Sequence, residues 1–281
     1  MKIACWFFGL MFFGWTALAS ADVLSGIRAS GVIRLGYLED SPPFSFREGG
    51  EARGYSVGLC EKVVDRMRVD LGLDRLRIEW VPVTLRNRFD MIEQGRIHIE
   101  CGISTWTLSR QKRVDFSLMT FVDGGSVLVR NETDLFKLED FQGKRIALVK
   151  GTTTEQSLAD ELARRGVPVQ VVQVETAEAG AAALNSGQVD GYASDRLVLI
   201  GLALDSPTTG MYRVVDEDFS LEPYALVLPR NEADFRLAVN RGLAHVYRSG
   251  DINGIYDRWI GHLGRPGVLL NALYYLQRIP E

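Results

Sequence analysis

The sequence predicts an α/β protein of two lobes, and three observations carry that reading. Strand-like and helix-like segments alternate from Val32 to Cys101, which argues for helices layered on a parallel sheet. The rhythm breaks at Thr120 to Arg130 and restarts at Lys144. After Asp216 the chain gives one more strand-like run and two apolar-striped helices. This order predicts an N-terminal lobe, an inserted lobe and a C-terminal return. The boundaries expected are residues 22–121 plus 223–281 for one lobe and 122–222 for the other. The crossings near residues 121 and 223 would form a hinge. Two tandem domains are the competing arrangement, and the lack of a Pro/Gly/Ser-rich linker weighs against it.

Each element follows from its pattern. Val32 to Tyr37 reads as a strand that Ser41-Pro42-Pro43 breaks, and Gly54 to Leu71 as an amphipathic helix. Leu76, Ile78 and Trp80 alternate as a second strand, and a helix over Arg86 to Gln94 leads to a strand ending at Cys101. In the second run, Lys144 to Val149 is a strand, Glu155 to Arg165 a helix and Val167 to Val174 a strand. Thr176 to Ser186 is helical up to Gly187, and Val189 to Ala193 is a strand leading to Asp195. The return comprises the strand Tyr224 to Leu228 and two helices. One is striped by Phe235, Val239, Leu243 and Val246, the other by Ile252, Ile255, Tyr256, Trp259 and Ile260.

The first residues read as an export signal. Lys2 precedes an apolar stretch from Ile3 to about Leu18, and Ala19-Ser20-Ala21 supplies an A-x-A cleavage pattern before Asp22. A retained anchor is the alternative, but the apolar core is short for a span and lacks a basic flank. The formal net charge of −4, without a basic patch interleaved with aromatics, argues against nucleic-acid binding. Three scattered histidines, His98, His245 and His262, have no metal-ligand spacing. No metal or other cofactor is expected. Beyond residue 21, Cys60 and Cys101 are the only cysteines. Cys60 lies on the helical stripe Val57, Cys60, Val63, Val64, Met67, and Cys101 on the strand face of Ile97 and Ile99, so both point at a core. In an oxidising compartment such a pair invites a disulfide, with two buried free thiols as the alternative.

The run Glu100-Cys101-Gly102-Ile103-Ser104-Thr105-Trp106-Thr107-Leu108-Ser109-Arg110-Gln111 carries most of the chemistry. Its strand is followed by small and hydroxyl residues and then an arginine expected in the first turn of a helix. The helix dipole disfavours a cation there. Arg110 therefore reads as a guanidinium reaching for a small carboxylate, with an ordinary surface arginine as the alternative. A second anion-binding element is Lys150-Gly151-Thr152-Thr153-Thr154-Glu155, a strand, a glycine turn and a helix start. Thr152 and Glu155 have capping-box spacing, and Thr152 and Thr153 could help hold the same anion from the other lobe. A capped helix without a ligand is the simpler reading of that motif alone. Asp195, just past a strand, could face a cleft and take an ammonium group, or pair with Arg196 or cap the next helix. Arginine, N–H turn and aspartate together would grip a zwitterion, the chemistry of an α-amino acid.

The order of motifs resembles the amino-acid-type (family 3) solute-binding proteins of bacterial ABC importers. The resemblance runs through Gly36-Tyr37, Pro42-Pro43-Phe44-Ser45-Phe46, Gly54-Tyr55-Ser56-Val57, Asn87-Arg88, Glu100-Cys101-Gly102 and Ser109-Arg110-Gln111 with Val114-Asp115-Phe116-Ser117. It continues with Lys150-Gly151-Thr152-Thr153 and with Ser249-Gly250-Asp251 before Tyr256-Asp257-Arg258-Trp259. It is strongest toward the glutamate/aspartate-binding branch.

The resemblance implies a type II periplasmic-binding fold whose discontinuous lobes close on an amino acid and deliver it to a membrane permease. It implies that Arg110 grips the α-carboxylate with Thr105 and Ser104 nearby, and that Thr153 and Thr152 donate to it. Asp195 would take the α-ammonium, Leu85 would wall the side chain, and Arg88 would reach a side-chain carboxylate. Leu38 and Leu85 stand where acidic-ligand relatives carry an arginine and a serine, Ile103 replaces a hydroxyl residue, and Trp106 is bulky. The expected pocket is thus more apolar than a dedicated glutamate site, with a weak lean to an acidic or polar amino acid. A periplasmic monomer without enzymatic activity is expected. Cyclohexadienyl dehydratases resemble this family too and use a glutamate at the place of Glu155. An enzyme of that kind, or a free-standing sensor or accessory subunit, is the competing function.

Overall fold

The computed structural model describes residues 22–205 and 210–281, so the signal-peptide reading of residues 1–21 lies outside the described residues. The first helix, α1 (Val23–Ser30), is capped by Asp22, whose side chain accepts the Ser25 N–H, and ends at Gly31 in the left-handed region. β1 (Val32–Leu38) follows, then a small antiparallel sheet of β2 (Asp40–Ser41), β3 (Ser45–Glu48) and β4 (Glu51–Arg53). α2 (Tyr55–Asp70), β5 (Arg77–Val83), α3 (Arg88–Glu93) and β6 (Ile99–Glu100) complete the first run. The second run is β7 (Asp115–Arg130), β8 (Arg145–Val149), α4 (Thr153–Arg165), β9 (Gln170–Val174), α5 (Ala177–Asn185), β10 (Gly191–Asp195), α6 (Arg196–Asp205) and β11 (Tyr212–Val214). The return comprises β12 (Ser220–Leu228), α7 (Ala233–Ser249), α8 (Asp251–Trp259) and α9 (Val268–Leu276).

One sheet runs β5-β1-β6-β12-β7-β10-β8-β9, with β11 beside β7. The parallel pairing expected from the alternation is found inside each lobe, where β1 pairs with β5 and β6, and β8 with β9 and β10. Between them β12 and β7 are antiparallel, and so are β7 and β10. The antiparallel pairs have a topological cause: a chain that leaves a lobe on one strand and returns on its neighbour must run back alongside itself.

β7 is 16 residues long, about 50 Å at roughly 3.4 Å per residue, enough to serve both lobes. Its early residues Phe116 and Phe121 join a core with Leu35, Val63, Ile99 and Leu243. Its later residues Val127 and Val129 join one with Phe141, Ile146 and Leu158, while Leu128 faces Leu184, Tyr192 and Leu199. The β12–β7 register shifts around Ala225, within the first of these cores. Such irregularities bend a strand and raise its twist. The fold is therefore a two-lobed, type II α/β architecture with discontinuous lobes joined by two crossings.

Cys60 of α2 and Cys101, just after β6, form a disulfide with Cα atoms 6.3 Å apart. The bond pins the apolar stripe of α2 to the strand that feeds the loop carrying Ser104, Thr105 and Arg110. Sequence and structure agree here because both cysteines lie on faces that must bury.

Candidate functional site

The loop after β6 is held in place by β12. The Trp106 N–H donates to Pro223 O at 2.7 Å and the Ala225 N–H to Ser104 O at 3.1 Å, while Ser56 Oγ donates to Gly102 O at 2.7 Å. Thr105 is thereby fixed at the crossing. Arg110 opens a helix as expected, but one of only three residues and of the 3-10 kind, so a helix dipole does little to place it. Its position comes instead from Nη1 donating to Thr105 O at 2.8 Å and from the Phe89 ring, whose centroid lies 5.2 Å from the guanidinium carbon. Burial lowers the Arg110 pKa, with the carboxylates of Glu222, Asp195 and Glu100 opposing.

Arg88, the first residue of α3, is almost wholly buried. Its Nε donates to Ser104 Oγ at 2.7 Å, its Nη1 to Leu85 O, and its guanidinium also lies over Phe89, at 4.6 Å. Burial, then the neighbouring Arg110, pulls its pKa down to about 10, against the pull of Glu100 and Asp195. Glu100 is buried too, and burial raises its pKa against the field of Arg88. Among the described residues neither of its carboxylate oxygens has a hydrogen-bond partner.

The second lobe contributes the start of α4. Thr152 is the N-cap: its hydroxyl accepts the Glu155 N–H at 3.3 Å and donates to Val149 O at 2.8 Å. The reciprocal half of the expected capping box is displaced by one residue, because Glu155 Oε2 accepts from Gly151 N rather than from Thr152 N, at 2.8 Å. Thr153 Oγ1 reaches across to the first lobe, 3.1 Å from Thr105 Oγ1. The first N–H groups of such a helix have no intrahelical acceptor and present positive partial charge.

Asp195 is the last residue of β10 and is buried. It accepts from the Tyr224 hydroxyl and, at 3.4 Å, from Thr154 Oγ1. Burial raises its pKa well above the usual carboxylate range, helped by Glu222 and Asp123, while Tyr224 and Arg110 oppose the shift. It does not pair with Arg196, which binds Asp218 at 2.6 Å.

Leu85, Arg88, Ile103, Thr105 and Arg110 from one lobe and Thr152, Thr153 and Asp195 from the other line a single narrow cavity of about 20 Å³. That is room for one or two waters. A larger guest therefore enters only when the lobes part. Ser104 sits behind the wall and holds Arg88. A second cavity, about 140 Å³, shares Leu85 and is rimmed by Glu39, Asp40, Glu175 and Glu178. A larger groove of about 400 Å³ lies apart from this site between α2 and α8, lined by Gly58, Glu61, Gly254 and Trp259 among others. It does not bring together opposed charges from two lobes.

Four site residues escape the sequence reading: Thr154 and Ser194, which line the cavity, and Glu222 and Tyr224, both on β12 and both buried. Glu222 Oε2 accepts from Thr105 Oγ1 at 2.6 Å and from Thr153 Oγ1 at 2.8 Å, and its Oε1 accepts from Ser220 Oγ at 2.6 Å. Glu222 is 1 % exposed whereas its neighbour Leu221 is 65 % exposed, the inverse of what hydropathy leads one to expect. A polar face at Ser220, Glu222 and Tyr224, spaced by two in an otherwise apolar strand, is the signal that could have revealed the two on β12.

The family model for bacterial extracellular solute-binding proteins, family 3, matches residues 33–262. The chain belongs to that family. An L-glutamate/L-aspartate-binding protein of Pseudomonas aeruginosa is 30% identical over 245 residues, covering 85% of this chain and 81% of the relative. An ABC transporter glutamine-binding protein of Bacillus subtilis is 26% identical over 242 residues, covering 85% of each. Among solved structures, an ancestral arginine-binding protein bound to glutamine superposes with a TM-score of 0.73 at 28% identity, over 82% of this chain and 98% of that one. As a family 3 solute-binding protein, the chain is extracytoplasmic, and its two-lobed fold is that of its structural neighbours.

Proposed function

We propose that this solute-binding protein captures a free α-amino acid between its lobes and delivers it to the membrane permease of an ABC importer. One observation carries the reading: Arg110 from one lobe and Asp195 from the other line the same cavity at the start of α4. A guanidinium matches a carboxylate in two parallel bonds, and a buried carboxylate matches an ammonium. Ligand contacts to both lobes would favour closure, and the closed form would be the one a permease recognises. The lobes would divide at residues 121/122 and 222/223, and the protein would act as a periplasmic monomer. The relatives named for glutamate, aspartate and glutamine, and the buried Arg88, favour an acidic or polar side chain.

No catalytic step is needed. Glu155, where an enzyme of the dehydratase kind would place its glutamate, accepts from Gly151 N and from Gln173 Nε2 and is not among the residues of the cavity. A thermal-shift screen against the twenty amino acids tests the binding reading. A ligand present at a hundred times its dissociation constant should stabilise the fold by roughly 2.7 kcal/mol. No shift with any amino acid, or turnover of prephenate or arogenate by the purified protein, would overturn it.

A further inference from the structure

We propose that Glu222 is a positioning residue that turns the hydroxyls of Thr105 and Thr153 into acceptors for an ammonium group, and so makes the site demand an amine. The inference rests on the amino-acid reading of the site and extends it to a residue outside the cavity wall. Glu222 belongs to β12, one of the two crossings, and is 1 % exposed. It touches both lobes: Thr105 follows β6 in the first, and Thr153 starts α4 in the second.

The protons can be placed from the distances. A carboxylate only accepts, and a threonine hydroxyl has one proton and two lone pairs. The contacts of 2.6 Å and 2.8 Å to Glu222 Oε2 are short enough to require a proton in each. Oxygen lone pairs would repel at that range. Both hydroxyl protons are thus committed to Glu222, and the 3.1 Å gap between Thr105 Oγ1 and Thr153 Oγ1 holds none. Ser220 Oγ, at 2.6 Å from Oε1, fixes the other half of the carboxylate.

What remains toward the cavity is a pair of acceptors from opposite lobes. Asp195 lines the same cavity as a further acceptor. The donors that line the same cavity are Arg110, Arg88 and the residues at the start of α4. The site therefore offers acceptors, set by a carboxylate that never touches the guest, beside its donors. A guest carboxylate is directed to the guanidinium and the helix start. The threonine hydroxyls are left for N–H donors, a different role from the carboxylate contacts that the resemblance implies for them.

The test compares each amino acid with the same molecule lacking its ammonium group: L-glutamate against glutarate, and L-glutamine against 5-amino-5-oxopentanoate. Calorimetry on wild type and Glu222→Gln reads four dissociation constants for each protein. A glutamine amide can itself donate to the threonines and so release their protons toward the guest. The amino acids should weaken about tenfold, the size of one charge-assisted hydrogen bond, while the des-amino acids stay within about twofold. Thr153→Val, which leaves the carboxylate in place and removes one acceptor, should show the same one-sided loss, and guards against a misfolded Glu222 variant. An equal loss for both classes of ligand, or none, in these variants overturns the inference alone. Wild type that binds none of the twenty amino acids overturns the amino-acid reading, and this inference with it.

Discussion

The hydroxyls of Thr105 and Thr153 stand 3.1 Å apart, although they belong to different lobes and 48 positions separate them in the chain. Everything proposed for the cleft depends on this meeting, because only a closed pair of lobes lets a guest touch Arg110 and the start of α4 together.

Arg110→Ala should abolish the thermal shift for every amino acid, removing all of the roughly 2.7 kcal/mol expected at a hundredfold excess over the dissociation constant. The guanidinium is held by Thr105 O and by Phe89, neither of which needs it to stay folded, so the ligand-free melting point should barely move. Arg88→Ala should instead change which amino acids give a shift. A variant lacking Arg110 that responds like its parent would show that the grip lies elsewhere.

Breaking the Cys60–Cys101 bond should destabilise the fold markedly. The bond spans 41 positions. Closing a loop of that length in the unfolded chain accounts for about 2–4 kcal/mol, or some 5–15 °C in melting temperature for a protein of this size. The paired variant Cys60→Ala, Cys101→Ala and the reduced wild type should melt alike, which calorimetry with and without reductant checks. Equal melting of oxidised and reduced wild type would mean that the thiols are not joined.

Much of this arrangement is legible in the sequence. Cys60 was readable because it repeats with Val57, Val63, Val64 and Met67 on a helical stripe, and Cys101 because it continues the face of Ile97 and Ile99. Arg110 was readable from the hydroxyl-rich run before it, although the helix invoked to explain it is a single 3-10 turn held by Thr105 O. Glu222 was not readable in the same way. Its strand turns Leu221 outward and Glu222 inward, because the inward space is built of hydroxyls contributed by two distant loops. Local hydropathy carries no record of partners 117 and 69 residues away. The antiparallel crossing escaped for a related reason: alternation along the chain reports layering, not which way a returning strand runs.

His98 should make the protein sensitive to mild acid. Burial, then the charge of Arg34, lowers its pKa to about 4, and its Nδ1 accepts the Arg34 N–H at 3.1 Å. The unfolded imidazole takes a proton near 6.5, the folded one only near 4. Between these values the unfolded state binds more protons, so stability present above about pH 6.5 is lost as the pH falls toward 4. His98→Gln should flatten the melting temperature over that window. An unchanged slope in the variant would assign the acid sensitivity to other groups.

Gly201 sits on α6 where an added methyl group would lie 2.7 Å from the carbonyl oxygen of Pro42, beside the small β2–β3–β4 sheet of the other lobe. That neighbour is backbone and cannot step aside as a flexible side chain would. Within a helix, alanine is otherwise favoured over glycine by about 1 kcal/mol, so Gly201→Ala should not unfold α6. The clash instead falls on the closed form, where α6 approaches Pro42, and is relieved when the lobes part. Overpacking of this kind costs about 1–3 kcal/mol. Ligand binding driven by closure should therefore weaken by roughly fivefold to a hundredfold. Small-angle scattering of the ligand-free variant should show a more open molecule than wild type. A variant that binds as tightly as its parent, with an unchanged scattering profile, would mean that the approach of Gly201 to Pro42 plays no part in closure.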